Sequence, residues 1–275
     1  MIFVRQPPAA KVQDRAVGVG VGRFKTLLGV SVLGLTLSLT LAVSSASSRP
    51  ATQLNWMGHS WTVTNGAMAG VARGRPSNVS IDANGYLHLM ITRKHRSVTA
   101  GELFSTDKMG FGTYQWVIQG PIDNMDPHTV LGLFPYGPRA GVGRDGENEI
   151  DIEFSKWGNS LCSGACNADF TVWPSAGNFS VGSTEHDFNV DLNAGDLVTA
   201  RLTWGSTSIT ETVMSGSQPL NTTQNVLQTW TFAPSDYLVR IPQQAVPVGM
   251  NLWCFRKKPA TSQSVVIQSF LYAFG

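Results

Sequence analysis

Charge is scarce in this chain: only 14% of its 275 residues are Asp, Glu, Lys or Arg. Cysteine is scarcer still, with three residues, and the five histidines are scattered without ligand spacing. Two of the cysteines, Cys162 and Cys166, stand four apart in a glycine-containing loop, and without nearby partners they make a poor zinc site. They suit a small disulfide in an oxidising compartment, which leaves Cys254 as a buried free thiol. No metal site is read from these residues. No apolar periodicity of helical type persists for three turns, and no internal repeat is present, which excludes helical bundles and solenoids.

The basic excess is also thinner than it looks. Arg5, Lys11, Arg15, Arg23 and Lys25 precede an uncharged apolar run, Thr26 to Val43, which is followed by the small residues Ser44-Ser45-Ala46. A basic region, an apolar stretch and a small-residue cleavage site make up a secretory signal. The run is close to the length that spans a bilayer, so an uncleaved membrane anchor is the alternative. Its Gly, Ser and Thr content favours cleavage. Removal of residues 1–46 takes five basic side chains and Asp14 with it, leaving 15 Lys and Arg against 17 Asp and Glu, and the net charge turns from +2 to −2. No basic field for nucleic acid remains. The chain therefore divides into a signal peptide or signal anchor (1–46), a polar lead-in (47–53) and one domain (54–275). The expected location is extracellular or periplasmic, or membrane-anchored if the signal stays, with no membrane partner after cleavage.

That domain is long enough to bury a sizeable core. It reads as short strands broken by Gly, Asn and Pro. A hairpin-type turn, Asn84-Gly85, leads into Tyr86–Ile91. Further strand-like runs are Gly112–Ile118, Thr129–Phe134, Ala168–Trp173, Asp187–Asp191, Leu197–Trp204, Ser208–Met214, Gly249–Phe255 and Val265–Tyr272. Many short strands with regular turn signals predict an all-β sandwich or barrel.

One stretch differs from the rest. In Glu149-Ile150-Asp151-Ile152-Glu153-Phe154 acids and large apolar residues alternate strictly. A strand turns successive side chains to opposite faces, so three carboxylates share one face and Ile, Ile and Phe the other. The Cα atoms of residues 149 and 153 then lie about 13 Å apart. Two Glu side chains leaning together can approach the ~5–5.5 Å carboxyl separation of a retaining glycoside hydrolase. Asp151 between them adds a negative charge that raises the pKa of a neighbouring Glu and keeps it in the acid form. Alternation alone is equally compatible with a solvated acidic strand or a divalent-cation site. Other strands place aromatic or amide side chains on one face: Thr171 with Trp173, and Asn251 with Trp253 and Phe255. Such faces stack on sugar rings and hydrogen-bond hydroxyls, although a core position is the default for any single Trp.

The Glu149–Phe154 stretch closely resembles the active-site motif of glycoside hydrolase family 16, in particular its lichenase-like branch. The resemblance runs in order along most of the domain. It includes Gly101-Glu102-Leu103 with Phe111-Gly112-Thr113-Tyr114, Leu133–Pro138, Asp169–Trp173, His186-Asp187-Phe188 and Asn251-Leu252-Trp253. It implies a jelly-roll β-sandwich of two antiparallel sheets, with polysaccharide lying across a concave groove, and retaining hydrolysis of internal β-glycosidic bonds. Carried over residue by residue, Glu149 would be the nucleophile, Glu153 the general acid/base and Asp151 their helper. Glu102, Trp157, Trp173, Asn251 and Trp253 would contact the sugar. Two departures stand out. Glu147 occupies the place of a Trp common in lichenases, and Gln268-Ser269-Phe270-Leu271 replaces a strand that helps hold calcium in the family. That second departure speaks against a structural calcium, so no cofactor is expected, and a monomer acting on a polysaccharide is. A β-glucan, mixed β-1,3/1,4 or β-1,3, is the expected substrate. A transglycosylase on the same site and a non-catalytic carbohydrate-binding sandwich are the alternatives.

Overall fold

A computed structural model describes residues 52–275 apart from Ala194. The signal or anchor expected over 1–46, and most of the lead-in, lie outside the described residues. No described helix is long and apolar enough to cross a membrane.

The described chain is built from strands. The first six are β1 (Thr52–Trp56), β2 (His59–Val63), β3 (Arg73–Gly74), β4 (Val79–Ile81), β5 (Leu87–Lys94) and β6 (Ser97–Met109). They are followed by β7 (Gly112–Gln119), β8 (Thr129–Pro135), β9 (Ile150–Phe154), β10 (Ala168–Val172) and β11 (Thr184–Phe188). The chain closes with β12 (Leu197–Trp204), β13 (Ile209–Ser215), β14 (Val226–Phe232), β15 (Val246–Cys254) and β16 (Gln263–Phe274). Apart from short 3-10 turns, the described helix content is one turn at Tyr237–Arg240.

These strands form the two sheets of a jelly-roll sandwich. One runs β11-β10-β9-β8-β15-β6, with β2 and β1 continuing from β6. The other runs β14-β13-β12-β7-β16-β5, with β4 beside β5. Strand β6 belongs to both. Its first residues, Ser97 to Ala100, pair with β5, and from Gly101 onward it pairs with β15. All pairings are antiparallel except the short β3–β6 contact. The Asn84-Gly85 turn forms as expected: Asp82 Oδ1 accepts the N–H groups of Asn84 (2.9 Å) and Tyr86 (3.0 Å), and Gly85 takes φ +81.

The core lies between the sheets. Ile150, Ile152 and Phe154 from β9, with Phe170 from β10 and Leu131 and Leu133 from β8, face Leu202 and Trp204 of β12, Trp116 of β7 and Ile209 and Val213 of β13. All are buried, and each aliphatic side chain removed from water in this way contributes about 1.5–3 kcal/mol. The other face of the first sheet is thereby turned outward, and it carries the acids of β9.

Several expectations need correction. The run read as Asp187–Asp191 is a strand three residues earlier, Thr184–Phe188, because pairing with β10 fixes it there. The acidic strand proper begins at Ile150, and Glu149 is held by a single bridge to Tyr136. Strand β1 starts at Thr52, inside the stretch read as lead-in.

Candidate active site

Cross-strand register assembles the site. In β9 the side chains of Asp151 and Glu153 point away from the core, and Glu149 continues the same face. Glu153 pairs with Gly132 of β8 on one side and with Asp169 of β10 on the other. Gly132 in turn pairs with Asn251 of β15, Asn251 with Glu102 of β6, and Asp169 with Asp187 of β11. Glu102, Asn251, Gly132, Glu153, Asp169 and Asp187 thus form one transverse row over six strands. Gly132 is the bare point in this row. A Cβ there would lie 2.7 Å from Asn251 Oδ1, the atom that accepts the Gly132 N–H at 3.1 Å.

Asp151 is buried, while Glu149 and Glu153 keep partial exposure. Trp173 Nε1 donates to Asp151 Oδ2 at 3.0 Å, and Asp151 is also hydrogen-bonded to Glu149. Burial raises all three carboxyl groups above the ordinary carboxylate range. The charges of Asp145 and Glu153 push Glu149 further up, against the hydrogen bond from Asp151. Glu149 does the same to Asp151, and Asp169 does the same to Glu153. Asp151 is thus pushed toward its protonated form, with one oxygen accepting from Trp173 and Glu149 beside it. Close acids cannot all ionise together.

Along the direction of β9, aromatic side chains flank the three acids at both ends. Near Glu149, Phe104, Phe134 and Tyr136 pack with centroids 5.8–6.0 Å apart, Arg139 lies over the Phe104 ring, and Tyr136 Oη donates to Asp145 at 3.0 Å. Beyond Glu153, Trp157 meets Trp253 (5.8 Å) and Phe255 (4.8 Å) edge-on. Trp157 sits at φ +46 in the loop after β9, which the Cys162–Cys166 disulfide closes on itself.

Each residue singled out from the sequence falls on this face. Glu149, Asp151, Glu153 and Trp173 are brought together directly, and Trp157 with Trp253 makes one aromatic end. Asn251 and Glu102 are nearly buried. Glu102 accepts from Thr64 Oγ1 at 2.6 Å and stands opposite Asn251 in the β6–β15 pair. Burial raises the Glu102 carboxyl.

Glu147, at the place of the lichenase Trp, anchors the loop ahead of β9. Its carboxylate accepts the N–H groups of Phe179 (2.9 Å) and Arg144 (3.1 Å), while Arg144 stacks over Phe179. Burial acts to raise it, but the backbone donors and Arg144 outweigh burial and hold it below the ordinary range. The calcium that the resemblance would bring does not fit. Gln268 gives its amide to Gln119 Oε1, Phe270 is buried in the core, and the stretch 268–271 has no carboxylate for a hard cation. Among the described residues, no group of three or more His, Cys, Asp or Glu side chains is arranged to hold a metal ion.

Sequence reasoning passed over Asp169, Glu185 and Asp187. The signal was present: Asp169 alternates with Thr171 and Trp173, and Glu185 with Asp187. Only the cross-strand register shows that Asp169 and Asp187 extend the row begun by Glu153, with Glu185 one pair along, opposite Thr171.

No protein-family model matches the sequence, and no curated protein matches it. Solved structures do. A Bacillus licheniformis β-glucanase superimposes with TM-score 0.56 at 21% identity, covering 82% of this chain and 99% of that one. A prokaryotic β-1,3-1,4-glucanase (lichenase) from a mouse hindgut metagenome gives 0.54 at 20% identity, over 77% of this chain and 92% of that one. A Bacteroides ovatus family 16 mixed-linkage glucan enzyme, solved with a product, gives 0.53 at 13% identity, covering 78% and 94%. The chain thus has the jelly-roll fold of glycoside hydrolase family 16. Among those solved structures, lichenases and other β-glucanases stand with it.

Proposed function

We propose that this chain is a secreted retaining endo-glycosidase that cuts internal β-glycosidic bonds of a β-glucan. The observation that carries the reading is the placement of Glu149 and Glu153 on one face of one strand segment, with buried Asp151 between them and aromatic side chains flanking the three acids at both ends of that segment. The names of the superimposable β-glucanases support the substrate class.

In the first step a Glu149 carboxylate oxygen attacks the anomeric carbon as the bond to the leaving glycosyl oxygen breaks, and Glu153 gives that oxygen its proton. Protonated Asp151, steadied by Trp173, donates to Glu149 and so keeps the nucleophile ionised despite its burial. In the second step Glu153, now a carboxylate, takes a proton from water. The water oxygen displaces Glu149, and the configuration at the anomeric carbon is retained. The raised pKa of Glu153 suits the acid role in the first step. Trp157 and Trp253 provide faces on which sugar rings stack, and Asn251 an amide for hydroxyl groups.

The test is product release from mixed-linkage β-glucan, β-1,3-glucan and galactans, with the Glu153→Ala variant as control. Short oligosaccharides from a β-glucan, made by the wild type alone, are the expected result. Binding without release from any polymer would overturn the hydrolase reading. Release only when an acceptor sugar is supplied would replace it with a transglycosylase.

A further inference from the structure

A feature outside the three-acid motif concerns the partner of Glu153 on the next strand. Asp169 stands directly opposite Glu153 in the β9–β10 pair and on the same outward face. Side chains so placed have Cβ atoms about 4.5–5.5 Å apart, and like charges there are destabilising. The two acids are not equivalent. The Asp169 carboxylate accepts two hydrogen bonds, from Trp157 Nε1 at 2.7 Å and from Thr171 Oγ1 at 3.1 Å, and Asp169 is buried. Among the described residues, no donor reaches the Glu153 carboxyl. Two fixed donors favour the ionised form of Asp169, so a proton shared by the pair belongs on Glu153.

We propose that Asp169 is a positioning residue of the acid/base centre: through its cross-strand pairing it holds Glu153 in the acid form, and through Trp157 it ties that acid to the aromatic end of the site. The inference rests on the reading of Glu153 as general acid/base. It adds a second strand to a device that the motif alone confines to β9.

The surrounding groups favour the same assignment. Glu153 is faced by Asp151 and Glu149 along its own strand segment, and by Asp169 on β10 with Glu185 and Asp187 on β11 beyond it. On the other side β8 and β15 present Gly132 and Asn251, which do not titrate, and Glu102 lies past Asn251 on β6. The charges that raise Glu153 are Asp169 first, then Asp151 and Glu185. Burial raises Asp169 to about 7, against the pull of its two donors. The pair titrates as a unit, and its apparent values belong to both residues. The other arm of Asp169 ends at Trp157, whose ring packs against Trp253 and Phe255, so one carboxylate orients both the acid and a sugar-stacking surface.

Asp169→Asn and Trp157→Phe separate the two arms. Asparagine keeps an oxygen for Trp157 Nε1 and removes the charge, whereas phenylalanine keeps the charge and a ring but removes the donor. The basic limb of the kcat/KM profile reports Glu153 losing its proton. It should move to lower pH by about one unit or more in Asp169→Asn, as expected for the loss of a close like charge, and by clearly less in Trp157→Phe, which keeps the charge and loses only one of the two donors that favour it. Carboxyl carbon NMR of glutamate-labelled enzyme without substrate should show the Glu153 resonance titrating lower in Asp169→Asn, by clearly more than in Trp157→Phe. If Asp169 merely anchors the Trp157 loop, the two variants will share one profile and the Glu153 titration will stay where it is, which would overturn the proposal. Wild-type protein that cleaves no glycan would instead remove the hydrolase reading, and the NMR titration would still decide the coupling of the pair.

Discussion

At the scale of single residues, Glu149→Gln is the most direct intervention. Glutamine has nearly the same size and accepts a hydrogen bond from Asp151, so the face stays packed, but the amide is not a competent nucleophile. Turnover should fall by at least about 10³-fold, within the range by which covalent catalysis lowers a barrier. The midpoint of thermal unfolding should not fall, because the exchange removes a half-buried charge crowded by Asp145 and Glu153. Steady-state kinetics beside a thermal melt reads both quantities, and substantial residual turnover would take the nucleophile role away from Glu149. This residue was legible in the sequence because alternation with Ile150 and Ile152 reports a strand face without any tertiary information. Asp169 was not legible as its neighbour's partner. Its place opposite Glu153 depends on how the loop from Ser155 to Asn167 returns the chain, and no local pattern encodes that register. Gly132 was silent for the same reason: its value lies in a side chain it lacks, next to Asn251 on a strand more than a hundred residues away.

At the scale of elements, most strands that alternate or run apolar are legible in the sequence, although alternating β14 is not, and neither is the strand shared by the two sheets. Leu197–Trp204 falls where its pattern puts it, as do the runs that became β7, β8 and β16. Strand β6 was missed because Ala100 to Ser105 is buried on both faces where the strand passes from one sheet to the other, which erases the period of two. Strand β13 hides a different anomaly. Glu211 lies on its core face between Ile209 and Val213, wholly buried, and among the described residues neither carboxyl oxygen has a hydrogen-bond partner. Burial, with the charges of Asp151 and Asp169 behind it, raises this carboxyl well above the ordinary range. A buried group that neither bonds nor ionises costs free energy that an apolar side chain of similar length does not. Glu211→Met should therefore stabilise the protein at pH 7 by about 1–3 kcal/mol, seen as a higher guanidinium midpoint with an unchanged slope. A lower midpoint would mean that the Glu211 carboxyl holds a partner that methionine cannot replace.

At the scale of the whole molecule, the site and the stability of the sandwich are opposed. The first sheet carries Glu102, Glu149, Asp151, Glu153, Asp169, Glu185 and Asp187 in positions that raise each above its ordinary value, and Glu211 adds another such group from the second sheet. A carboxyl raised in the folded state binds a proton that the unfolded chain releases near pH 4. Its contribution is complete below that pH and is lost as pH rises through the folded value, which for Asp169 is about 7. Glu147 works in the other direction. Its folded value is depressed, so its contribution is present above about pH 4.5 and is lost as pH falls through the depressed value. The sum is a stability maximum on the acid side of neutrality and a decline toward pH 8. Each kcal/mol lost should lower the unfolding midpoint by about 2–4 °C for a domain of this size. Thermal melts from pH 4.5 to pH 8 at constant ionic strength should show that decline in the wild type and a shallower one in Asp169→Asn, which removes one member of the coupled Asp169–Glu153 pair. A midpoint that rises steadily toward pH 8 would mean that the row is ionised and paired in the folded protein, and the protonated Asp151 and Glu153 on which the proposed chemistry depends would have to be given up.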